Sequence, residues 1–303
     1  MATVSTGSLH RSLWPGVNKF TGLSYAETSH QYKEIFEVLD SSKNYELDVT
    51  MGQMGLATVK PEGQSIQYDD FAQGFDVTYR HVTYGDGFII TREAIEDNQY
   101  MELSEARSKL LGKTMKETKE NVCANVLNRA FNSGYLGADG LELCSTAHLL
   151  EKGGTYRNEL TTAADMSEAS LEQAAIDIMD FRDGANKIIA ARPMKLIIPR
   201  ALCFEVERIL KSTLQNDSAN NAINALKSKG VLPQGYVVNH YLTDTDAWFI
   251  KTDVPEGLKL FQRRPMKVDT DSDFDSENLK FKATERYSVG WTDPRGVFGS
   301  PGA

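Results

Sequence analysis

Cysteine is scarce in this chain: Cys123, Cys144 and Cys203 are the three among 303 residues, odd in number and without a Cys-x-x-Cys spacing. That excludes a disulfide framework and predicts free thiols in a reducing compartment. Cys123 and Cys203 fall among helical apolar positions and read as small core residues. Histidine is thin as well, and His10, His30, His81, His148 and His240 show no HxxxH or HxH pattern, which argues against zinc. Positive charge is in deficit, with 33 Lys and Arg against 42 Asp and Glu and a formal net charge of -9. A protein whose main work is gripping nucleic acid needs clustered cations, so that class is disfavoured. No apolar run approaches the ~18 residues of a membrane span, and residues 1–18 lack a basic-then-apolar signal pattern. The chain is therefore expected to stay in the cytoplasm unless it leaves as part of an assembly. No repeat of solenoid or propeller period is visible.

What is present is a long two-armed ribbon. Tyr45, Leu47, Val49 and Met51 alternate with polar residues on one arm, and Phe75, Val77 and Tyr79 on the other. Turn residues Lys60-Pro61-Glu62-Gly63 lie between them. An isolated ribbon of this length is marginal in water and exposes strand edges, so a second copy of the same chain is expected to cover its apolar faces.

Before the ribbon, Tyr32, Ile35, Phe36 and Leu39 have the spacing of an amphipathic helix. After it, Gly85-Asp86-Gly87 reads as a turn, Phe88-Ile89-Ile90 as a strand and Thr91 as an N-cap. From Arg92 to Phe131 there is no proline and only Gly112, so a helical rod of roughly 60 Å is expected, with a possible break near Asn98 to Tyr100. Its apolar positions are Leu103, Ala106, Leu110, Val122, Val126 and Ala130, and its middle is polar. A loop-rich crossing leads to a capping box at Ser170 and Gln173, opening a helix with Leu171, Ala174, Ala175, Ile178 and Met179 inward. Strands at Met194–Ile198, Tyr236–Val238 and Trp248–Ile250 and helices at Ala201–Ser212 and Asn220–Ser228 make a mixed unit. Strands at Leu258–Phe261, Leu279–Ala283 and Tyr287–Trp291 return the chain to the rod. The fold class is α+β.

Candidate chemistry is thin. Cys144-Ser145-Thr146-Ala147-His148 gathers nucleophile-type groups, but adjacency supplies neither an orienting acid nor an oxyanion hole, and there is no GxSxG elbow. A hydrolase built on Ser145 and His148 is the remote alternative. Asp269, Asp271 and Asp273 begin like a calcium loop, yet Phe274 stands where glycine is needed and Lys280 where a glutamate is needed. Gly134, Gly137, Gly140, Gly153 and Gly154 match no phosphate loop and read as turn glycines. No catalytic, cofactor or metal residues are assigned. Arg263-Arg264, with Arg80, Arg286 and Arg295, are candidates for ion pairs between copies.

The order of these parts resembles the Hong Kong 97-type fold of tailed-bacteriophage major capsid proteins, and in particular the Mu-like major head subunit family. The residues that carry the likeness are Leu13-Trp14-Pro15-Gly16-Val17, the segment Ile90-Thr91-Arg92-Glu93-Ala94-Ile95-Glu96-Asp97, Asp139-Gly140 with Ser145-Thr146-Ala147-His148, and the closing run 285–299 from Glu285-Arg286-Tyr287 to Val297-Phe298-Gly299. The resemblance implies an N-terminal arm (1–44), an extended hairpin loop (45–87), a peripheral domain with the spine helix (88–165), an axial domain (166–253) and return strands of the peripheral domain (254–303). It implies a structural, non-enzymatic subunit forming pentamers and hexamers of an icosahedral shell around double-stranded DNA held without sequence-specific binding. It further implies a virion location after assembly in the host cytoplasm, a portal partner, no membrane and no cofactor. With about 44 residues ahead of the hairpin, a separate scaffolding protein is expected. Contact candidates between copies are Tyr45, Leu47, Val49, Lys60, Glu62, Phe75, Val77, Tyr79, Arg263, Arg264, Arg286 and Arg295. An encapsulin-like cellular compartment is the closer alternative.

Overall fold

The computed structural model describes residues 19–26, 29–51, 54–66, 68, 73–96, 100–214 and 222–303. Two four-stranded sheets organise the chain. The first runs β1 (Glu37–Asp40), β10 (Leu258–Ser272), β11 (Leu279–Trp291) and β4 (Val82–Ile90), with β1 parallel to β10 and the rest antiparallel. The second runs β12 (Val297–Ser300), β9 (Trp248–Thr252), β7 (Pro193–Ile198) and β8 (Tyr236–Val238). The ribbon of β2 (Tyr45–Met51) and β3 (Gln73–Arg80) is a separate two-stranded sheet, and β5 (His148–Leu149) with β6 (Thr155–Tyr156) a short hairpin.

The expected rod is the helix Tyr100–Asn128, preceded by a short helix Arg92–Glu96 whose Ala94 amide donates to Thr91 Oγ1. The break considered near Asn98 to Tyr100 falls largely outside the described residues. At ~1.5 Å per residue the 29-residue helix is roughly 43 Å long. Its buried side differs from the expected one. Ala106 and Leu110 are exposed, whereas Leu111, Met115, Lys119, Glu120, Cys123 and Leu127 are buried. The polar middle is thus part of the interior. Lys119 Nζ meets Glu285 Oε1 at 2.5 Å and Gln262 Oε1 at 2.7 Å, and lies 5.0 Å from the ring centres of both Tyr32 and Tyr287. A helical-spacing argument that scores only apolar residues misses a face whose charges are paired.

The expected helix Tyr32–Leu39 is a single turn, Tyr32–Ile35, followed by β1. Glu120 caps that turn through the Gln31 and Tyr32 amides, and Glu37–Asp40 then find ladder partners on β10. Pairing with a sheet edge outweighs helical spacing. Likewise Gly85-Asp86-Gly87 is not a turn but the middle of β4, opposite Lys282–Thr284. A Cβ on Gly87 would stand 2.5 Å from the Phe281 carbonyl, so glycine permits the close ladder there.

In the second unit the helix Glu168–Met179 starts three residues earlier than expected, with Ser167 and Ser170 making the capping box. Gln173 instead reaches Asp177, and Met179 is exposed. The closing strand Val297–Ser300 pairs with β9 rather than returning to the spine region. One cluster containing Ile35, Phe36, Leu127, Ile197, Phe249, Leu260 and Tyr287 joins both sheets to the spine helix. A second, around Trp248, Ile198, Val206 and Phe298, lies beneath the helices Glu168–Met179 and Cys203–Lys211. Each fully buried Leu, Ile or Phe in these clusters contributes about 1.5–3 kcal/mol.

Candidate assembly surfaces

The ribbon pairs Tyr45 with Arg80, Leu47 with Thr78 and Val49 with Asp76. The ladder runs to Met51 and Gln73 and spans the alternating residues of both arms. The Lys60–Gly63 stretch beyond it closes with the Gln64 amide on the Pro61 carbonyl and a positive φ at Gly63. Lys60 and Glu62 are exposed there, as are Leu56 and Val59.

The two faces of β2 are reversed from the usual arrangement. Tyr45, Leu47 and Val49 are 54%, 54% and 40% exposed, while Glu46, Asp48 and Thr50 point toward the body. Every inward polar group has a partner. Glu46 accepts from Ser41 Oγ at 2.7 Å and Lys43 Nζ at 3.0 Å, which hold its carboxyl below the ordinary range. Asp48 Oδ2 accepts from Lys259 Nζ at 2.6 Å and Thr292 Oγ1 at 3.0 Å. Thr50 Oγ1 accepts from the Phe75 amide at 2.7 Å. On β3, Phe75 and Val77 are half-buried, and Tyr79 is buried with its hydroxyl 2.7 Å from Thr292 Oγ1 and its ring edge-on to Phe261. The apolar row of the second arm is therefore covered by the chain itself. That of the first arm is not.

The arginines divide similarly. Arg263 and Arg264 are exposed at an irregularity of β10 between Gln262 and Lys267, and Arg264 stands directly opposite Arg286 on β11. Arg286 donates to Asn44 Oδ1 at 2.9 Å. Arg295 is occupied within the chain: it pairs with Asp293 at 2.8 Å, donates to the Arg182 carbonyl and lies 5.4 Å from the Tyr156 ring centre.

The Ser-Thr-Ala-His block is a joint. His148 Nδ1 meets Asp139 Oδ2 at 2.5 Å and its ring stacks on Tyr156, while Nε2 has no partner among the described residues, so Ser145 Oγ is not bonded to it. Cys144 is fully buried, and burial raises its thiol well above the ordinary value, which leaves it a protonated core residue. Asn158, which the sequence offered no reason to single out, is the hub. Its Oδ1 accepts from the Ser145 amide, and its Nδ2 donates to the carbonyls of Leu143, Pro294 and Val297 at 2.7–3.0 Å. In the acidic loop, Asp273 binds Ser276 and Lys280, and no group of three or more His, Cys, Asp or Glu side chains suited to a metal ion occurs among the described residues.

No curated protein sequence matches the chain. The fold has solved counterparts. The capsid of cyanophage P-SCSP1u aligns with a TM-score of 0.58 at 12% identity, over 91% of this chain and 88% of that one. The procapsid of bacteriophage JBD30 aligns at 0.55 and 13% over 98% and 76%, and the virus-like particle from Pyrococcus furiosus at 0.52 and 11% over 94% and 97%. At such identities the agreement is one of fold, the Hong Kong 97-type. The family model described as phage capsid protein matches residues 75–299, from the second arm of the ribbon to the last strand. With that match over most of its length, the chain belongs to the phage capsid protein family and is a major capsid protein.

Proposed function

We propose that the ribbon of each subunit lies over an adjacent copy and that this contact, repeated with contacts of the central unit around symmetry axes, closes an icosahedral shell of pentamers and hexamers around double-stranded DNA. The supporting observation is the reversed face of β2: a row of bonded polar residues holds Tyr45, Leu47 and Val49 toward solvent. Exposed aliphatic and aromatic side chains arranged this way favour a protein partner. Phase and register come from symmetry, so several modest interfaces add up to high avidity. A net charge of -9 suits a container whose wall must not hold the nucleic acid packed into it. Assembly in the host cytoplasm, a separate scaffolding protein and a portal vertex complete the reading.

Within it, Tyr45, Leu47, Val49, Lys60 and Glu62 face the neighbour, and Phe75 and Val77 support them. Deleting Lys60–Gln64 tests the ribbon's role. The subunit is expected to remain folded, with an unchanged melting transition in isolation, but to give few or unstable particles by negative-stain microscopy. Normal particles of normal thermal stability would overturn the proposal.

A further inference from the structure

The outer face of the first sheet carries an arrangement that is unfavourable for a lone chain. Arg264 and Arg286 are direct cross-strand partners, and like charges so placed repel. Arg263 is adjacent, exposed and without a bonded partner among the described residues, and Lys267 follows on the same strand. Pro265, which lacks an amide hydrogen, lies in the irregularity that turns these side chains outward. No acid among the described residues bonds these arginines: Arg264 reaches only Thr284 Oγ1, and Arg286 only Asn44 Oδ1 and the His81 carbonyl. Of the acids nearby, Glu46 binds Ser41 and Lys43, Glu285 faces inward to Lys119, and Asp40, exposed opposite Gln262, makes no ion pair with the cluster. Beside the arginines the floor of the sheet is low, because Gly85 and Gly87 stand opposite Thr284 and Lys282.

The same molecule has the complementary charge at the far end of that sheet. The β10–β11 hairpin ends in 269–277, which holds Asp269, Asp271, Asp273, Asp275 and Glu277 and no base. Asp269, Asp273 and Glu277 pair with Lys267, Lys280 and Arg92 respectively, whereas Asp271 and Asp275 have no ion-pair partner among the described residues. Phe274 projects at the tip and is 95% exposed.

We propose that the arginine cluster at the β10 irregularity receives the acidic β10–β11 tip of a second copy, with Asp271 and Asp275 neutralising the Arg263, Arg264 and Arg286 group and Phe274 seated on the glycine-lined floor. Donor and receiver are different patches, so the contact is head-to-tail and closes only as a ring. The ribbon contact proposed above is a separate interface, and this one rests on the shell reading only for its cyclic closure. Charge pairing of this kind sets register and speeds encounter.

A charge exchange tests it. Arg263→Glu with Arg264→Glu is expected to leave a soluble subunit with a wild-type melt and to lower particle yield at least tenfold under conditions where wild type assembles. Asp271→Lys with Asp275→Lys should do the same, and the two sets combined should restore particles. Assembly undiminished by either set, or failure of the combined variant to exceed the singles while all melt normally, overturns the inference. Rescue of the arginine variant by Glu62→Lys instead would overturn the acidic tip as occupant in favour of the neighbour's ribbon. If the reversed arginines prevent folding, Asp271→Lys with Asp275→Lys and Phe274→Ser provide the same reading, because the tip is exposed. Wild-type chain that forms no particles with any helper would instead remove the shell reading itself.

Discussion

The ribbon and the second sheet are built from the same kinds of residue and do opposite things with them. In β9, Trp248, Phe249 and Ile250 are all buried, and Leu196, Ile197 and Ile198 of β7 are fully enclosed between two hydrophobic clusters. In β2, Tyr45, Leu47 and Val49 remain outside. The composition of a strand therefore does not tell where its burial partner is. The difference is made by the alternate residues, since Asp48 bonds Lys259 on the body, Glu46 bonds Ser41 and Lys43 at the ribbon's root and Thr50 takes the Phe75 amide of the other arm, which together hold the apolar row outward. One sheet completes itself within the chain, and the first arm of the other keeps its apolar row exposed.

The sharpest contrast should come from removing the core of the self-sufficient sheet. Trp248→Ala deletes the largest fully buried side chain among the described residues and leaves the Ala164 carbonyl with the Ser300 hydroxyl alone, and is expected to cost about 3–5 kcal/mol in a denaturant melt of the isolated subunit. Any ribbon substitution with a comparable cost would break the comparison. Lys119→Ala comes next: it leaves Glu285 buried without its cation and should cost about 3 kcal/mol, and Lys119→Met with Glu285→Leu should recover most of that. Asp48→Ala is smaller. It takes one partner from Lys259, which keeps Glu256, and one from Thr292, which keeps the Tyr79 hydroxyl, and should destabilise by about 1–3 kcal/mol, concentrated in faster amide exchange along β2 and β3.

Much of the fold was legible because it follows from periodicity. The strands at Met194–Ile198, Tyr236–Val238 and Trp248–Ile250 form close to their expected bounds, since short apolar runs between turns have few other ways to be buried. What was not legible depends on distant partners. Glu37–Asp40 becomes a strand because β10 offers an edge, and Gly85–Gly87 stays in a strand because β11 lies opposite. Lys119 and Glu120 enter the interior because Glu285 and the 32–35 turn receive them. The candidate assembly surface was half legible: alternation marked both arms, but that only the first presents its apolar row to solvent follows from bonds to Lys259 and Thr292, more than 200 positions away.

A milder effect is expected at the ribbon's root. His81 is buried between Ser41 Oγ and Ser288 Oγ, each 3.0 Å away, with Arg286, Arg263 and Glu46 as its charged neighbours. Burial first, then Arg286, holds its imidazole below the ordinary value, so the neutral ring belongs to the folded state. The unfolded chain takes up a proton earlier as pH falls. This strut therefore contributes fully above the ordinary histidine value of about 6.5 and loses its contribution below it, toward the folded value. The melting temperature should fall between pH 8 and 5.5 more steeply in wild type than in His81→Gln. Glu151, whose carboxyl is raised by burial, acts in the opposite sense at lower pH, so the difference between the two proteins is the quantity to compare. Equal slopes would remove His81 from the ribbon's support.

The smallest effect on the isolated chain is expected where the comparison matters most. Replacing Tyr45, Leu47 and Val49 together by Ser removes three large side chains from a strand, a change that in β7 or β9 would unfold the protein. Because these side chains are exposed, the melt should shift by no more than about 0.5 kcal/mol per site. The backbone ladder to Arg80, Thr78 and Asp76 and the inward bonds of Glu46, Asp48 and Thr50 are untouched. Assembly should nevertheless fail, measured as loss of particles by sedimentation, since the buried area that favours association is gone while the subunit is intact. A large drop in subunit stability would mean that the row is already buried in the free chain. Unchanged stability with unchanged particles would mean that no neighbour covers it, and the reversal of faces in β2 would then have to serve something other than a shell.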